Sequence, residues 1–442
     1  MRSIFLSIII AFSPLLLPAA SAHAGVKVKA ELAHNVLPEA QEGRVYMRVR
    51  LEGLPFEDET DRPPVNVVLV IDKSGSMRGA RIEQARDAAM MAVDSLEEKD
   101  VLGVVAYSHE VEVLAPAGHL GDAKGINDHI LHLRANGRTA LYAGVKEGLR
   151  QLREFSDPNA INRIVLLSDG MANVGPSTPA ELEELGREAA KDGISVTTIG
   201  LGLGYNEDLM TRLALASDGN HAFVESPGDL VRIFNKEFGD VLSAVGGDVD
   251  VEIECPDGFY PMRALGREAK IDGQRIKFKL NQIYGRQEKY LVVELKINKD
   301  HAKGEGEAAK VQVNYTDLKS KKRATVNSQA KVRFSASKQE QKAGVNKEVV
   351  AEVTTQIANE RNERALSLRD KGKEKEARAM LQENAKYLKR QADKLPAPSA
   401  EALNKMSKKN LEDAEKLSGA DWRKQRKIMR ARQYKSKTQQ SY

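Results

Sequence analysis

The chain of 442 residues has a single cysteine, Cys255, so an intrachain disulfide and a cysteine-held metal cluster are both excluded. A chain of this length can rely on its core, and an exported protein without disulfides fits a periplasm. Aromatic residues make up only 5% of the sequence, which argues against stacking platforms for single-stranded nucleic acid. Long apolar runs are missing apart from 4–17, so nothing beyond that segment is expected to span a membrane. Arg2 precedes the run and Ala22-His23-Ala24 follows it as a small-x-small cleavage pattern. Residues 1–24 are therefore expected to be a secretory signal peptide, with Gly25 as the new N-terminus; the alternative is an uncleaved anchor. The expected location is the periplasm, the cell envelope or the extracellular space.

The charge is uneven. Formal net charge is +5, yet residues 337–442 hold 26 Lys and Arg against 15 Asp and Glu, which leaves −6 on the rest. The basic excess belongs to the tail. Its partners could be a membrane, an envelope polymer or an acidic neighbouring domain, and export argues against nucleic acid. Residues 423–442 carry eight basic and no acidic side chains and are expected to be frayed or disordered.

Alternation at 26–30 and 45–51 predicts two strands of a half-buried sheet. From 65 onward, continuous apolar runs at 65–71, 101–107, 163–167 and 194–201 alternate with helical patterns at 80–96, 140–155, 179–191, 207–216 and 229–242. That alternation predicts an α/β fold with a doubly wound, mostly parallel sheet, whose ligands bind at the carboxyl ends of the strands. After Gly246-Gly247 the segments 249–254, 275–280, 289–297, 310–315 and 324–334 are β-rich. With the first pair they make a β-sandwich of about seven strands, into which the parallel domain is inserted. The expected organisation is thus signal peptide 1–24, sandwich strands 25–62, the α/β domain 63–245, sandwich 246–336, and a basic helical tail 337–442. Within the tail, Gly372 marks the turn of a helical hairpin and Pro396 a break.

One motif carries chemistry. The strand at 65–71 ends in Asp72-Lys73-Ser74-Gly75-Ser76, that is Asp-x-Ser-x-Ser. Thr139 stands just before a helix, and Asp169 follows another buried strand. Carboxylates and hydroxyls are hard oxygen donors that suit Mg²⁺ first, with Mn²⁺ or Ca²⁺ as alternatives, rather than zinc or copper. Two carboxylates leave residual positive charge on a divalent cation, and hence a place for an acidic partner group. Gly75 lets the loop fold tightly. Asp72 and Ser74 could instead cap the next helix, but capping does not explain Thr139 and Asp169.

These residues resemble the metal-ion-dependent adhesion site of von Willebrand factor A domains, and the order of elements from Pro64 to Val245 is similar to that family. The resemblance implies a metal site of Asp72, Ser74, Ser76, Thr139 and Asp169, with the hydroxyls bound directly and the aspartates acting largely through water. It implies a protein ligand whose exposed Asp or Glu completes the metal shell, and a last helix, 229–242, that can shift. The wider layout resembles exported bacterial proteins of this group and the heavy chains of inter-α-trypsin inhibitors. Lys73 and Arg138 flank the site and would add positive field.

Other signals carry less. Gly200-Leu201-Gly202-Leu203-Gly204 lacks dinucleotide-loop spacing and reads as a tight turn. His129 and His132 lack further zinc ligands. A serine nucleophile would need a base, and His109 is the nearest in sequence. The chain therefore reads as a non-enzymatic, metal-dependent binding protein for adhesion or complex assembly in the cell envelope. The alternative is a regulatory subunit of a membrane transporter or channel, or of an ATPase or chelatase-type enzyme.

Overall fold

The computed structural model describes residues 25–56, 62–169, 172–419 and 421–440. The expected signal peptide, 1–24, lies outside them. Three strands come first: β1 (Val26–Leu32), β2 (Val36–Pro38) and β3 (Gly43–Gly53). An alternating region follows, with β4 (Val65–Asp72), α1 (Ala80–Asp94), β5 (Val101–Tyr107), β6 (Val111–His119), α2 (Ala123–Leu131) and α3 (Leu141–Arg153). It continues with β7 (Ile161–Ser168), α4 (Pro179–Lys191), β8 (Ile194–Leu201), α5 (Glu207–Ala216), β9 (His221–Val224) and α6 (Leu230–Leu242). Next come β10 (Ala244–Glu254), β11 (Phe259–Leu265), β12 (Lys270–Asp272), β13 (Arg275–Tyr284), β14 (Glu288–Ile297), β15 (Glu305–Asp317) and β16 (Lys322–Ser335). The chain closes with α7 (Lys338–Ala343), α8 (Lys347–Asp370), α9 (Glu374–Ala392), α10 (Ala397–Glu415) and α11 (Trp422–Thr438).

The alternating region builds a six-stranded sheet in the order β6-β5-β4-β7-β8-β9, parallel except for the edge strand β6. Its central strand shows why the sequence runs apolar without a break. Val65, Val67, Leu69 and Ile71 face one core with α1 and α6, while Val68 and Val70 face the other with α3, α4 and α5. A strand buried on both sides has no polar face to display. Asn66, the one interruption, is satisfied by the Phe155 carbonyl at 2.6 Å and by Asn162 Oδ1 at 2.9 Å. Helix α4 starts with a reciprocal cap in which Thr178 and Glu181 bond each other's backbone N–H.

The sandwich consists of a four-stranded sheet, β1-β3-β14-β11, facing a six-stranded one, β12-β13-β10-β15-β16-β2. It has ten strands among the described residues rather than about seven. The three that escaped the pattern are short or broken: β2 and β12 have three residues each, and β11 is bulged between Pro261 and Arg263. Both sheets contribute to one apolar core that includes Met47, Leu51, Val251, Phe278 and Leu295. The α/β region enters between β3 and β10.

The tail differs most from expectation. The sequence predicts a frayed or disordered end over 423–442, whereas α11 covers Trp422–Thr438 and is packed on the α/β domain; residues 441–442 lie outside the described residues. Tyr434 is buried and donates to the Gly219 carbonyl at 2.6 Å. The basic side chains of α11 find carboxylates far upstream: Lys424 pairs with Glu225, Arg426 with Glu207 and Asp208, and Arg430 with Asp208. The acidic domain that the tail neutralises is its own. Helix α8 is fixed to the four-stranded sheet by buried Arg48, which reaches Glu31, Glu348 and Glu352.

Candidate metal centre

Asp72 is the last residue of β4 and is fully buried. Its Oδ1 accepts the backbone N–H of Ser74 at 2.8 Å, and its Oδ2 accepts the Ser168 hydroxyl at 2.7 Å. Burial, helped by the charge of Asp169, outweighs the lowering bonds from Ser74 and Ser168 and leaves the carboxyl raised to about 6. The chain then turns through Gly75–Met77. Gly75 donates to the Gly137 carbonyl at 3.0 Å, and a Cβ on Gly75 would come within 3.3 Å of the same oxygen. The approach of two loops, rather than an unusual backbone angle, is what favours glycine here.

The turn brings Ser74 Oγ within 3.1 Å of Ser76 Oγ, and Ser76 donates to Asp169 Oδ1 at 2.7 Å. Asp169 follows β7 and is buried. Asp72, Ser74, Ser76 and Asp169 therefore form one hydrogen-bonded group at the carboxyl edge of the sheet. Thr139 is buried, and its backbone is tied to the segment after β7. Its N–H donates to Asn173 Oδ1 at 2.9 Å, and its carbonyl accepts from the N–H groups of Asn173 and Val174. Its loop is stitched to the first by Asn136 N–H on the Lys73 carbonyl at 2.7 Å and by the Gly75–Gly137 bond. The loops after β4 and β7 thus bring two carboxylates and two serine hydroxyls into one bonded group, and Thr139 stands on a third loop tied to the first.

This donor set fits a hard divalent cation, because it offers two buried carboxylates and serine hydroxyls, all hard oxygen donors. Among the described residues no group of three or more His, Cys, Asp or Glu side chains is placed to hold a metal. His129 Nδ1 meets the Leu114 carbonyl and His132 Nδ1 the Asp128 carbonyl, separate partners with no common centre. His109 packs on Gly137, where a Cβ would lie 2.2 Å from its Nδ1. Its Nδ1 faces Ser108 Oγ at 3.4 Å, and among the described residues no hydrogen bond joins it to Ser74 or Ser76.

Of the flanking cations named from sequence, Lys73 pairs with Glu112 at 2.6 Å and Arg138 donates to the Asn173 carbonyl at 2.6 Å. The cation that touches the centre is another one. Arg81 Nη1 donates to Asp169 Oδ2 at 2.5 Å and to the Ser76 carbonyl at 2.8 Å. A signal for it was present, since a basic residue in the first turn of a helix sits at the end where the dipole disfavours it. The glycine run after β8 also forms part of the wall. A Cβ on Gly204 would lie 2.8 Å from the Asp169 carbonyl, and Gly202, at φ +68°, borders Arg81.

Comparisons with known proteins agree with this architecture. The model of the von Willebrand factor type A domain matches residues 66–236. An uncharacterized protein of Escherichia coli (strain K12), YfbK, is 30% identical over 211 residues, which are 47% of this chain and 37% of that protein. Inter-alpha-trypsin inhibitor heavy chain H3 of Mus musculus is 28% identical over 235 residues, covering 48% of this chain and 26% of that one. The chain thus spans well under half the length of these relatives. Among solved structures, a von Willebrand factor type A protein from Catenulispora acidiphila superposes with a TM-score of 0.69 at 15% identity, over 90% of this chain and 91% of that one. The ArnB paralog VWA2 from Sulfolobus acidocaldarius gives 0.62 at 17% identity, over 95% and 100%. The likeness of fold therefore takes in the sandwich and the helices as well as the sheet that bears the site. Residues 66–236 of this chain are a von Willebrand factor type A domain, set in a β-sandwich and backed by C-terminal helices.

Proposed function

We propose that the chain is a protein-binding module that uses a divalent cation, Mg²⁺ in the first instance, to hold an acidic side chain of a partner. The observation that carries this reading is the bonded group of Asp72, Ser74, Ser76 and Asp169 at one edge of the sheet, with Thr139 on a loop tied to theirs by the Gly75–Gly137 bond. Ser74, Ser76 and Thr139 would hold the ion through their hydroxyls, with Asp72 and Asp169 behind them. The ion supplies a centre of positive charge that an exposed Asp or Glu of the partner can approach. The chain's own residues hold that centre in place. Ser168 and the Ser74 N–H fix the Asp72 carboxylate, and the Gly75–Gly137 bond sets the spacing of the serine and threonine loops. Such pre-set donors lower the ordering cost of binding.

The role we propose is adhesion or assembly of a larger complex rather than catalysis; among the described residues no hydrogen bond joins a histidine to Ser74 or Ser76. Export, expected from residues 1–24, would put that role in the periplasm or cell envelope. The basic tail is not assigned a membrane contact, because its charges on α11 are largely paired with carboxylates of the same chain. The test is capture from an envelope extract with the mature protein as bait, in Mg²⁺, in EDTA, and with Ser74→Ala/Ser76→Ala. A partner lost under both EDTA and the double substitution supports the reading. A partner retained in all three moves binding to the sandwich or the helices.

A further inference from the structure

Arg81 stands where helix physics disfavours a cation. It is the second residue of α1, at the positive end of the dipole, and gains nothing there from the helix itself. Its guanidinium instead reaches across to Asp169 Oδ2 at 2.5 Å and to the Ser76 carbonyl at 2.8 Å. Asp169 divides its two oxygens between Arg81 and the Ser76 hydroxyl. The carboxylate is fully buried, while the Arg81 side chain keeps 37% exposure, so the guanidinium forms a lid between the carboxylate and solvent. Across from it, a Cβ on Gly202 would stand 3.3 Å from Arg81 Nη2, so the wall is kept clear of side chain where the guanidinium lies.

From this placement we infer that Arg81 is the resident counter-cation of the metal centre, competing with the divalent ion for the charge of Asp169. The inference rests on the metal reading above and adds a regulator to that site. With Arg81 in place, the metal-free loops carry one carboxylate charge rather than two and hold together without an ion. A divalent ion that enters meets a like charge already present, so it binds more weakly and exchanges more freely. The loaded site is then one unit of charge more positive than it would be with a neutral residue at position 81.

The experiment titrates the full mature chain with Mn²⁺ alone, in the wild type, Arg81→Gln and Arg81→Lys. The same proteins are melted in EDTA, together with Asp169→Asn and the Arg81→Gln/Asp169→Asn double variant. Removing a unit charge a few ångströms from a divalent ion in a water-rich setting corresponds to roughly a tenfold change in affinity. Arg81→Gln is therefore expected to bind Mn²⁺ roughly tenfold more tightly, and Arg81→Lys to stay within about twofold of the wild type. In EDTA, Arg81→Gln is expected to melt lower and the added Asp169→Asn to recover part of that loss, because no buried carboxylate is then left unpaired. Unchanged or weaker Mn²⁺ binding by Arg81→Gln, or strictly additive losses in EDTA, overturns the inference. Failure of every form to bind Mn²⁺ defeats the metal reading itself. The EDTA cycle then still decides whether Arg81 and Asp169 act as a pair.

Discussion

Lys427 of the C-terminal helix donates through Nζ to the backbone carbonyl of Tyr205 at 2.5 Å, although 222 positions separate them. The ammonium is buried, is also paired with Glu207, and lies 4.3 Å from the centroid of the Tyr205 ring. Tyr205 belongs to the segment between β8 and α5 that walls the candidate metal centre. The tail thus braces one side of the site from behind. Lys427→Met leaves the Tyr205 carbonyl unpaired and Glu207 with Arg426 as its remaining partner, and is expected to cost about 2 kcal/mol. Urea melts of the two proteins measure this; a loss below about 0.5 kcal/mol would show that α11 rests on the domain without bracing it.

The same wall can be tested from inside. Gly204→Ala puts a methyl group 2.8 Å from the Asp169 carbonyl, a backbone atom that cannot swing aside. Asp169 has to shift, and with it the bond from Ser76. Mn²⁺ affinity is expected to fall several-fold in a protein that still folds. Titration at fixed pH reads the effect, and wild-type affinity would mean that the glycine run has no part in shaping the site.

Thr139 separates holding the loop from holding an ion. Its backbone makes the bonds that fix the loop, so Thr139→Val should leave stability within about 1 kcal/mol of the wild type. Mn²⁺ binding should drop at least tenfold, and Thr139→Ser should restore it. If Thr139→Val binds Mn²⁺ normally, the hydroxyl is not among the donors.

Acid should loosen the contact between the tail and the domain through His221. The ring is fully buried beside Tyr434 of α11, with centroids 5.6 Å apart. Its Nδ1 lies 2.8 Å from Thr198 Oγ1, and that hydroxyl itself donates to the Met210 carbonyl. The ring is therefore held neutral with its proton on Nδ1. Burial, followed by the charges of Lys435 and Lys427, pushes its pKa down to about 3. A folded-state value below the unfolded one means that the stabilising contribution is complete above pH 6.5 and is lost as pH falls towards 3. The slope for one such proton is about 1.4 kcal/mol per pH unit. Glu237 works the other way, since burial raises it to about 7 and the folded state gains stability as pH falls from 7 towards 4.5. The difference between wild type and His221→Gln isolates the histidine. It is expected to shrink steadily from pH 6.5 to 4 in urea melts, and parallel curves would contradict the assignment.

The parts of this molecule that the sequence made legible are those in which local pattern and environment coincide. The strand ending at Asp72 could be read because burial on both faces leaves a continuous apolar run, and its carboxyl end then located the Asp-x-Ser-x-Ser loop. Thr139 and Asp169 could be read because each borders an element with a clear period. Strand β11 was missed because Pro261 and a bulge break its alternation, and β2 and β12 are too short to show one. Helix α11 was misread for a physical reason: eight cations without a local counter-charge look unfoldable, and Glu207, Asp208 and Glu225 lie about 200 residues upstream. Arg81 was passed over because its tie to Asp169 is spatial, with only its awkward place at a helix start to mark it.

The central claim is that the five oxygen side chains form one divalent-cation site. Titration of the mature chain with Mn²⁺, followed by the loss of its free-ion paramagnetic resonance signal, tests it most directly. The account predicts one saturable site per chain in the wild type. That site should be lost in Ser74→Ala/Ser76→Ala, while the melting point in EDTA stays within a few degrees of the wild type. No saturable binding, or binding that survives the double substitution, would contradict it.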